Sequence, residues 1–423
     1  MLQVAFIRQH REEVLQRLAV KNFKETELVD DVLGTDDRRK RLKASLDETQ
    51  AAVKVASREI HVLLKKGEAE EAEHSKNEVA TLKQQIGHLT EELQKTEQHL
   101  EDSLLRLPNL PHATVPAGTT PDDNEIVRKG GEQPVLSPEA LPHWELAKKY
   151  DLMDTELGNK ITGSGFPVYR GQGARLQRAL ISYFLDYNIT AGYTEYIPPY
   201  MVNEASAYGT GQLPDKEAQM YQVTLDNFYL IPTAEVPLTN IYRDVIIPAG
   251  TLPVKMTAYT PCFRREAGSY GKEVRGLNRV HQFDKVEIVQ IVHPDHSYDV
   301  LEEMVAHVEK LLQNLKLPYR VLRLCGGDLS FTSALTYDFE VYSAAQQRWL
   351  EVSSVSNFES FQTNRMKIRT KDDHGKSLLL HSLNGSSLAL PRIVACLLEN
   401  NQQPDGIALP EALQAYFGKN LIS

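Results

Sequence analysis

Residues 46–63, LDETQAAVKVASREIHVL, carry the pattern that decides the first part of the fold. Apolar or small side chains recur there every three or four residues, at Leu46, Thr49, Val53, Ala56, Ile60 and Leu63. Residues 79–93, VATLKQQIGHLTEEL, repeat this spacing after a break near Gly67. A seam with a period of about 3.5 residues is typical of coiled coils, and a short break favours two antiparallel helices. We therefore predict a helical arm that is roughly 40–55 Å long.

The predicted arm ends where proline first appears in the chain. Residues 1–106 contain no proline, whereas Pro108 and Pro111 follow at once, and proline interrupts a helix. Residues 107–170 are rich in proline, glycine and aspartate, which indicates an ordered linker. Helical and strand-like segments then alternate, which is typical of an α+β body with a largely antiparallel sheet. We predict an arm at 1–106, a linker at 107–170 and this body at 171–423.

The two predicted arm helices differ in charge. Residues 36–66 carry an excess of lysine and arginine, while residues 67–106 carry an excess of aspartate and glutamate. Complementary charges beside the seam would stabilise the helix pair. The basic side chains could also present a positive edge to a phosphate backbone. They are Arg38, Arg39, Lys40, Arg41, Lys43, Lys54 and Arg58. The two interpretations are compatible, and the sequence leaves both open.

Composition narrows the class of protein. The chain has 423 residues, of which 41% are hydrophobic, so a substantial core can form. Neither a run of 18 apolar residues nor a long apolar N-terminal stretch occurs, so we expect no membrane span and no secretory signal. Cys262, Cys325 and Cys396 fit neither a disulfide framework nor a zinc site, which favours the cytoplasm. The net charge of −10 argues against non-specific polyanion binding by the whole surface.

Residues 263–266, FRRE, and residues 279–287, RVHQFDKVE, form the first candidate for chemistry. Alternate residues of a strand face one side, so five side chains would share a face. These are Arg279, His281, Phe283, Lys285 and Glu287. Arginine, an aromatic ring and a carboxylate could hold a phosphate, an adenine and an ammonium group. A strand face of surface salt bridges explains the same pattern equally well.

Three further polar segments are candidates. In residues 351–357, EVSSVSN, Glu351 and Ser354 could supply oxygen ligands to Mg²⁺, although a surface strand turning into a serine-rich loop fits too. In residues 384–392, NGSSLALPR, a turn leads into a helix, and Arg392 in its first turns opposes the helix dipole. That placement suggests a phosphate partner, unless the arginine is merely solvated. Residues 233–235, TAE, lie between two prolines and present a hydroxyl and a carboxylate, or form a simple turn.

In their order along the chain, these segments resemble the seryl-tRNA synthetase family of the bacterial type. Residues 192–199, GYTEYIPP, resemble class II motif 1, residues 263–287 resemble motif 2, and residues 384–392 resemble motif 3. Other segments are typical of the seryl enzymes, namely 107–112, 209–214, 233–235, 281–283, 336–338 and 351–357. The resemblance implies an α+β fold with an N-terminal antiparallel coiled-coil arm. It also implies that residues 171–423 form a class II catalytic domain, an antiparallel sheet flanked by helices.

The resemblance further implies ATP-dependent ligation of L-serine to tRNA(Ser) through a seryl-adenylate. The implied catalytic residues are Arg264, Glu266 and Arg392. The implied ATP-binding residues are Arg264, Arg265, Glu266, Arg279, Val280, Phe283, Glu351, Val352, Ser353, Ser354 and Arg392. The implied serine-binding residues are Thr233, Ala234, Glu235, Arg264, Glu287, Ser382, Asn384 and Ser386. Glu351 and Ser354 are the implied Mg²⁺ ligands.

A homodimer without membrane contact is implied as well, and serylation of tRNA(Sec) is a further expectation. This chain departs from the family at Ser382, where many members have threonine, and Arg265 lies in a variable spacer. Two alternatives stay open. A ligase that charges a carrier protein would share the body but lack the arm, and a coiled-coil scaffold with an inactive body would lack adenylate formation.

Overall fold

The structure is a computed structural model that describes residues 1–266 and 275–423. The backbone divides into two compact units. The first comprises Met1–Ala19 and Phe23–Pro108, and the second comprises Val20–Asn22 and Asn109–Ser423. Residues 109–170, which we expected to be a linker, therefore belong to the same unit as the residues that follow them.

The first unit is helical. Its helices are α1 (Val4–Gln9), α2 (Arg11–Val20), α3 (Glu27–Lys66) and α4 (Ala69–Arg106). The two long helices pack against each other, and α3 ends at Gly67, whose φ of +82° is a left-handed conformation that suits glycine. This confirms the predicted helical arm and its break. Helix α3 begins before residue 36, so it is longer than the periodic stretch alone suggested.

The predicted seam is the buried side of this helix pair. Every residue of the two periodic series is buried or half-buried. The seam also contains Thr49 and Thr96, whose hydroxyls donate to the carbonyl oxygens of Ser45 and Glu92 at 2.7 and 2.8 Å. A threonine that bonds to the carbonyl four residues earlier leaves no unpaired hydroxyl in the interface. The two polar seam positions are therefore compatible with close packing.

The helices of the second unit are short, apart from three. They are α5 (His143–Lys149), α6 (Thr155–Ile161), α7 (Gly171–Thr190), α8 (Glu204–Thr210), α9 (Glu235–Asn240), α10 (Ser297–Asn314), α11 (Phe361–Met366), α12 (Leu390–Asn400) and α13 (Glu411–Phe417). The longer ones, α7, α10 and α12, cover one face of the main sheet. Side chains such as Phe184, Met304 and Leu397 fill the layer between these helices and the sheet.

The strands of the second unit build one large sheet and four small ones. They are β1 (Glu125–Gly130), β2 (Met153–Asp154), β3 (Val168–Tyr169), β4 (Thr194–Glu195), β5 (Met201–Asn203), β6 (Gln222–Val223), β7 (Phe228–Leu230), β8 (Val254–Phe263), β9 (Gln282–Val292), β10 (Tyr319–Arg323), β11 (Leu335–Ser343), β12 (Arg348–Asn357), β13 (Arg369–Lys371), β14 (Ser377–Leu379), β15 (His381–Ala389), β16 (Gln402–Gln403), β17 (Gly406–Ala408) and β18 (Leu421–Ile422). The large sheet has the order β1-β10-β11-β12-β15-β9-β8-β4. Among the strands that the structure describes, only the edge strand β4 pairs in parallel, which confirms the predicted antiparallel α+β fold.

Three local predictions were wrong. Strand β9 begins at Gln282, because the N–H of His281 donates to the carbonyl of Gly165 instead of joining the ladder. Arg279 and His281 are therefore not strand residues. Residues 351–357 lie inside the central strand β12 and do not turn into a loop. Residues 384–389 belong to β15, which pairs with both β12 and β9, so the chain enters α12 directly from a strand.

Candidate active site

One face of the large sheet is polar, and the face covered by α7, α10 and α12 is apolar. On β9, Phe283, Lys285 and Glu287 alternate with Val286 and Ile288, which belong to the apolar core. Cross-strand partners share a face of a sheet. The register pairs Glu287 with Ser386, Asn384 with Ser356, and Ser354 with Asp338. The polar face is therefore continuous across β9, β15, β12 and β11, as the alternation in β9 predicted for its own residues.

A β-bulge in β12 brings two candidate ligands to this face. Residues three apart on a regular strand point to opposite sides. Here the register shifts by one residue, so Ser354 lies opposite Asp338 while Glu351 lies opposite Glu340. The extra residue that causes this shift is the buried Val352. Glu351 and Ser354 consequently share the polar face, which their spacing in the sequence does not predict.

Two buried carboxylates lie at the centre of the polar face. The carboxylate of Glu235 accepts hydrogen bonds at 2.6 Å from the amides of Gln362 and Asn384. Burial raises the pKa of Glu235 to about 7, and the hydrogen bond from Gln362 offsets this only in part. The loop before it contributes as well, because the hydroxyl of Thr233 accepts a hydrogen bond from the N–H of Glu235. The segment 233–235 is thus a helix start that aims a carboxylate inward.

Glu287 is the second buried carboxylate. Its Oε2 lies 3.0 Å from Nζ of Lys285, and its Oε1 accepts a hydrogen bond of 3.4 Å from Ser386. Burial raises the pKa of Glu287, while the positive charges of Lys285 and Arg264 oppose that rise. The same two cations also act on Glu235, so all four groups are close enough to interact. A buried site with two carboxylates and two cations suits a zwitterionic ligand.

Gln362 and Lys285 are site residues to which the sequence analysis gave no role. Gln362 is buried, donates to Glu235 and accepts a 2.7 Å hydrogen bond from Ser382. It lies on α11, more than 100 residues from Glu235, so no local motif could place the two together. Lys285 was recognised only as one member of an alternating strand.

Arg264 and Glu266 lie just past the end of β8. The guanidinium of Arg264 is 5.4 Å from the ring centroid of Phe283, in a cation–π arrangement. Nη1 of Arg279 forms an ion pair of 3.1 Å with Glu266. The N–H of Arg265 donates to the carbonyl of Gln219 at 2.9 Å, and its side chain is exposed. Residues 267–274, which follow Glu266 in the chain, lie outside the described residues.

Arg392 connects α12 to the same face. Its Nη1 donates to the carbonyl of Glu351 at 2.7 Å, and its Nε donates to the carbonyl of Asn278 at 2.9 Å. The guanidinium is half-buried, so it is not simply a solvated helix residue. The hydroxyl of Ser354 donates to Asp338, a carboxyl whose pKa burial raises well above its usual value. Ser353 points elsewhere and donates to the carbonyl of Ser386 at 2.7 Å.

The predicted residues thus form three adjoining groups on one sheet face. Glu235, Glu287, Ser382, Asn384 and Ser386 surround the buried carboxylates. Arg264, Glu266, Arg279 and Phe283, with the buried Val280 beside them, form the second group. Glu351, Ser354 and Arg392 form the third, while Val352 and Ser353 support it from within β12. Ala234 is buried behind Glu235.

Comparisons with known proteins agree with this arrangement. Residues 221–401 match the tRNA synthetase class II core domain of the G, H, P, S and T enzymes, and residues 1–111 match the seryl-tRNA synthetase N-terminal domain. The fold and the polar sheet face therefore define a class II aminoacyl-tRNA synthetase. In the part of the chain that the structure describes, no helix is long and apolar enough to cross a membrane.

Relatives that match this chain along its full length identify the family within class II. A serine–tRNA ligase of Salinibacter ruber is 51% identical over 420 residues, which cover 99% of this chain and 98% of the relative. A seryl-tRNA synthetase from Pyrococcus horikoshii, solved in complex with ATP, is 32% identical with a TM-score of 0.92. That likeness covers 100% of this chain and 99% of the solved one. This chain belongs to the seryl-tRNA synthetase family.

Proposed function

We propose that this enzyme ligates L-serine to tRNA(Ser) in an ATP-dependent reaction with a seryl-adenylate intermediate. The observation that carries the proposal is the buried pair Glu235 and Glu287 beside Arg264. Carboxylates that are fully buried and only partly paired are suited to an ammonium group. The adjacent guanidinium is suited to the carboxylate of the same amino acid or to a phosphate. The relatives described above, which include an ATP complex, support this choice of substrates.

In the first step, a carboxylate oxygen of serine attacks the α-phosphorus of ATP. An acyl–phosphate bond forms, the bond to the β-phosphate bridging oxygen breaks, and pyrophosphate leaves. The attacking carboxylate is already ionised near pH 7, so this step requires no general base. Arg264 would stabilise the charge that develops on the α-phosphate, and catalysis rests on positioning and electrostatic stabilisation.

In the second step, a terminal ribose hydroxyl of the tRNA attacks the acyl carbon. An ester bond forms, AMP leaves with the electron pair of the broken acyl–phosphate bond, and the proton of the attacking hydroxyl passes to the departing phosphate or to solvent. We assign adenine recognition to Glu266, Phe283 and the backbone at Val280. Arg279 and Arg392 would hold the outer phosphates. Arg265 is assigned to this site by the family resemblance alone, because it lies in a variable spacer.

Glu351 and Ser354 are the residues that we propose as Mg²⁺ ligands. The bulge places a carboxylate and a hydroxyl on one face, and Mg²⁺ is often bound by one or two carboxylates together with substrate phosphates. Among the described residues there is no cluster of three histidine, cysteine or acidic side chains that could hold a metal alone. This donor set therefore fits an ion that arrives with ATP. The ion would neutralise phosphate charge, and Nη1 of Arg392 lies 3.7 Å from the carboxylate of Glu351.

Discrimination among amino acids would depend on the serine hydroxyl. Thr233, Ser382, Asn384 and Ser386 line the group around the buried carboxylates. A site built to hydrogen-bond a hydroxyl rejects an analogue without it by roughly 10⁴–10⁵. Alanine should therefore be excluded strongly, whereas threonine has to be excluded by size.

We propose that the arm binds tRNA through the basic side of α3. Arg39, Lys40 and Lys43 form ion pairs with acidic residues of α3 itself, and Arg38 lies 3.6 Å from Glu92 of α4. Among these four described basic residues of α3, only Arg38 forms an ion pair with α4. Arg41, Lys54 and Arg58 are exposed and have no ion pair within the described chain. Their positive charge is available to a phosphate backbone.

Three finer predictions remain from the family resemblance. We propose a homodimer, a cytoplasmic location and serylation of tRNA(Sec) in a host that has one. The apolar surface near residues 192–201 supports the first of these, since Ile197 is 85% exposed and Met201 is 50% exposed. Three buried thiols without a disulfide among the described residues suit a reducing compartment.

The proposed function is tested by exchange of labelled pyrophosphate into ATP. Serine should support exchange, and alanine and threonine should support little. Exchange with an amino acid other than serine, together with no exchange with serine, would assign the enzyme to that other amino acid. Adenylate formation eliminates the inactive scaffold, and transfer of serine to tRNA instead of a carrier protein eliminates the carrier-charging ligase.

A further inference from the structure

A fully buried histidine lies behind the ATP side of the candidate site. His143 begins α5, and neither its side chain nor that of Glu399 in α12 is exposed. Nδ1 of His143 lies 2.7 Å from Oε1 of Glu399, and the N–H of His143 donates to the same oxygen at 3.0 Å. Ser343 donates to the other oxygen. Burial alone would raise the pKa of Glu399, but the hydrogen bonds from His143 and Ser343 lower it overall.

The other nitrogen of His143 holds a backbone amide. The N–H of Leu277 donates to Nε2 at 2.8 Å, so Nε2 must carry its lone pair and the ring proton must be on Nδ1. Protonation of Nε2 would replace this hydrogen bond with two opposed N–H groups. The approach is close as well, because a Cβ added at Gly276 would lie 2.3 Å from Nε2 of His143. Gly276 also has a φ of +64°, which favours glycine.

The residue after Leu277 is the one that contacts Arg392. The carbonyl of Asn278 accepts the 2.9 Å hydrogen bond from Nε of Arg392. The side-chain amide of Asn278 donates to Gln346 at 2.9 Å, and Gln346 in turn donates to Glu399 at 3.0 Å. Asn278 is therefore hydrogen-bonded directly to Arg392 of α12. Leu277 is linked to Glu399 of the same helix through His143.

Helix α12 makes these two attachments rigid with respect to each other. Arg392 and Glu399 are seven residues apart, which is about two turns, so they lie on the same side of the helix. Arg279 follows Asn278 immediately, and it pairs with Glu266. The position of the Leu277–Asn278 segment thus determines the positions of two arginine side chains, Arg279, which follows it, and Arg392, which donates to it.

We propose that His143 is a positioning residue for ATP binding. It accepts the N–H of Leu277 and thereby fixes the Leu277–Asn278 segment against α12, so that Arg279 and Arg392 converge on the polyphosphate. The proposal rests on the proposed function, since it takes the two arginines as phosphate-binding groups. His143 itself touches no substrate in this account.

Two substitutions of His143 separate its two hydrogen bonds. His143→Asn keeps a donor near the position of Nδ1, toward Glu399, but removes the acceptor for Leu277. His143→Gln keeps an acceptor near the position of Nε2 but loses the donor to Glu399. Both leave a smaller buried side chain and should lower the melting temperature similarly. We expect the KM for ATP in pyrophosphate exchange to rise roughly five- to tenfold in His143→Asn. It should stay within about twofold of the original in His143→Gln.

The KM for serine is the internal reference, because no hydrogen bond among the described residues joins His143 directly to Glu235 or Glu287. It should change less than twofold in either variant. Gly276→Ala provides a second route if His143→Asn does not fold. The added methyl group displaces Leu277 from an intact His143, so the KM for ATP should rise in the same way. His296→Asn, an exposed histidine in the same unit, is the matched control and should behave like the unmodified enzyme.

Equal KM values for ATP in His143→Asn and the unmodified enzyme would overturn the positioning role, as would equal increases in the asparagine and glutamine variants. Parallel increases in the KM for serine would overturn it too, because they indicate general loosening of the fold. The proposed function fails differently, by absence of serine-dependent exchange in the unmodified enzyme.

Discussion

At the scale of single residues, the candidate site depends on two carboxylates in buried positions, where the charged form is energetically unfavourable. Glu235 and Glu287 are buried, and their hydrogen-bond partners are amides, the hydroxyls of Ser386 and Thr233, and the ammonium group of Lys285. An uncompensated buried charge costs several kcal/mol, so a buried carboxylate with incomplete pairing favours the binding of a cation. We interpret the incomplete pairing of these two carboxylates as a source of the free energy of serine binding.

Removal of the charge of Glu287 tests this interpretation. Glu287→Gln keeps the shape of the side chain but cannot pair with an ammonium group, and Glu287→Ala also opens space. We expect serine-dependent pyrophosphate exchange to fall by at least about 10² in both variants, since the loss of one partner of a buried charge pair costs about 2–5 kcal/mol. Glu139→Gln, at an exposed position, is the control. Near-normal serine activation by Glu287→Ala would remove this residue from the pocket.

The pH dependence of serine binding should report on Glu235. Its pKa is raised from 4.5 to about 7, so the carboxyl group of the free enzyme ionises near neutral pH. An ammonium ligand prefers the ionised form. The KM for serine should therefore fall as pH rises from about 6 to 8, and Glu235→Gln should show a higher KM without this trend. A steep decrease that persists in Glu235→Gln would assign the titration to another group.

The same raised pKa has a consequence for stability. Below pH 4.5 the carboxyl is protonated in both folded and unfolded chains, and between about 4.5 and 7 only the unfolded chain releases the proton. Glu235 therefore contributes fully to the free energy of unfolding below its unfolded pKa of 4.5. This contribution is lost as pH rises through the folded pKa of about 7. Relative to the unmodified enzyme, Glu235→Gln should gain melting temperature between pH 5 and pH 8. A constant difference across that range would contradict the account.

At the scale of elements, the β-bulge in β12 shows where sequence patterns stop being sufficient. The seam of α3 and α4 was predictable because its spacing is local and repeats over many turns. The alternation of Phe283, Lys285 and Glu287 was predictable for the same reason. The shared face of Glu351 and Ser354 was not, because one extra residue in a strand leaves no periodic signal. Gln362 was also invisible, since only the packing of α11 brings it to Glu235.

The bulge leads to a prediction about metal dependence. Ser354→Ala removes one proposed oxygen ligand and leaves Glu351 in place. We expect the Mg²⁺ concentration for half-maximal pyrophosphate exchange to rise several-fold, while the maximal rate at saturating Mg²⁺ changes less. Ser57→Ala is the control, since Ser57 is an exposed serine of α3 outside the proposed metal site. An unchanged Mg²⁺ requirement in Ser354→Ala would exclude this serine as a ligand.

At the scale of the whole molecule, two units with different charge patterns share one chain. The catalytic unit contains the sheet with its polar face, and the helical unit contains the exposed basic residues of α3. The helical arm and the α+β fold were predictable, because the change from helical periodicity to alternating strands is abrupt near Pro108. It did not predict that residues 109–170 pack with the catalytic unit. Their pairing partner, β10, lies far along the chain, so the strand β1 has no local signature.

Charge reversal on the arm should separate the two reactions. Glutamate at Arg38, Arg39, Arg41 and Arg58 removes four positive charges from the proposed tRNA-binding side. We expect charging of tRNA to weaken by at least about tenfold at physiological salt, because phosphate contacts dominate such affinity. Serine-dependent pyrophosphate exchange should change little. Comparable charging before and after the reversal would mean that these residues serve only the helix pair.

The central claim is that this enzyme attaches serine, and no other amino acid, to tRNA. The most direct measurement is aminoacylation of total tRNA with each of the amino acids in separate reactions containing ATP and Mg²⁺. The account predicts acid-precipitable label with serine, dependence on ATP, and little label with alanine or threonine. Efficient charging with a different amino acid, or serine activation without any transfer to tRNA, would contradict it.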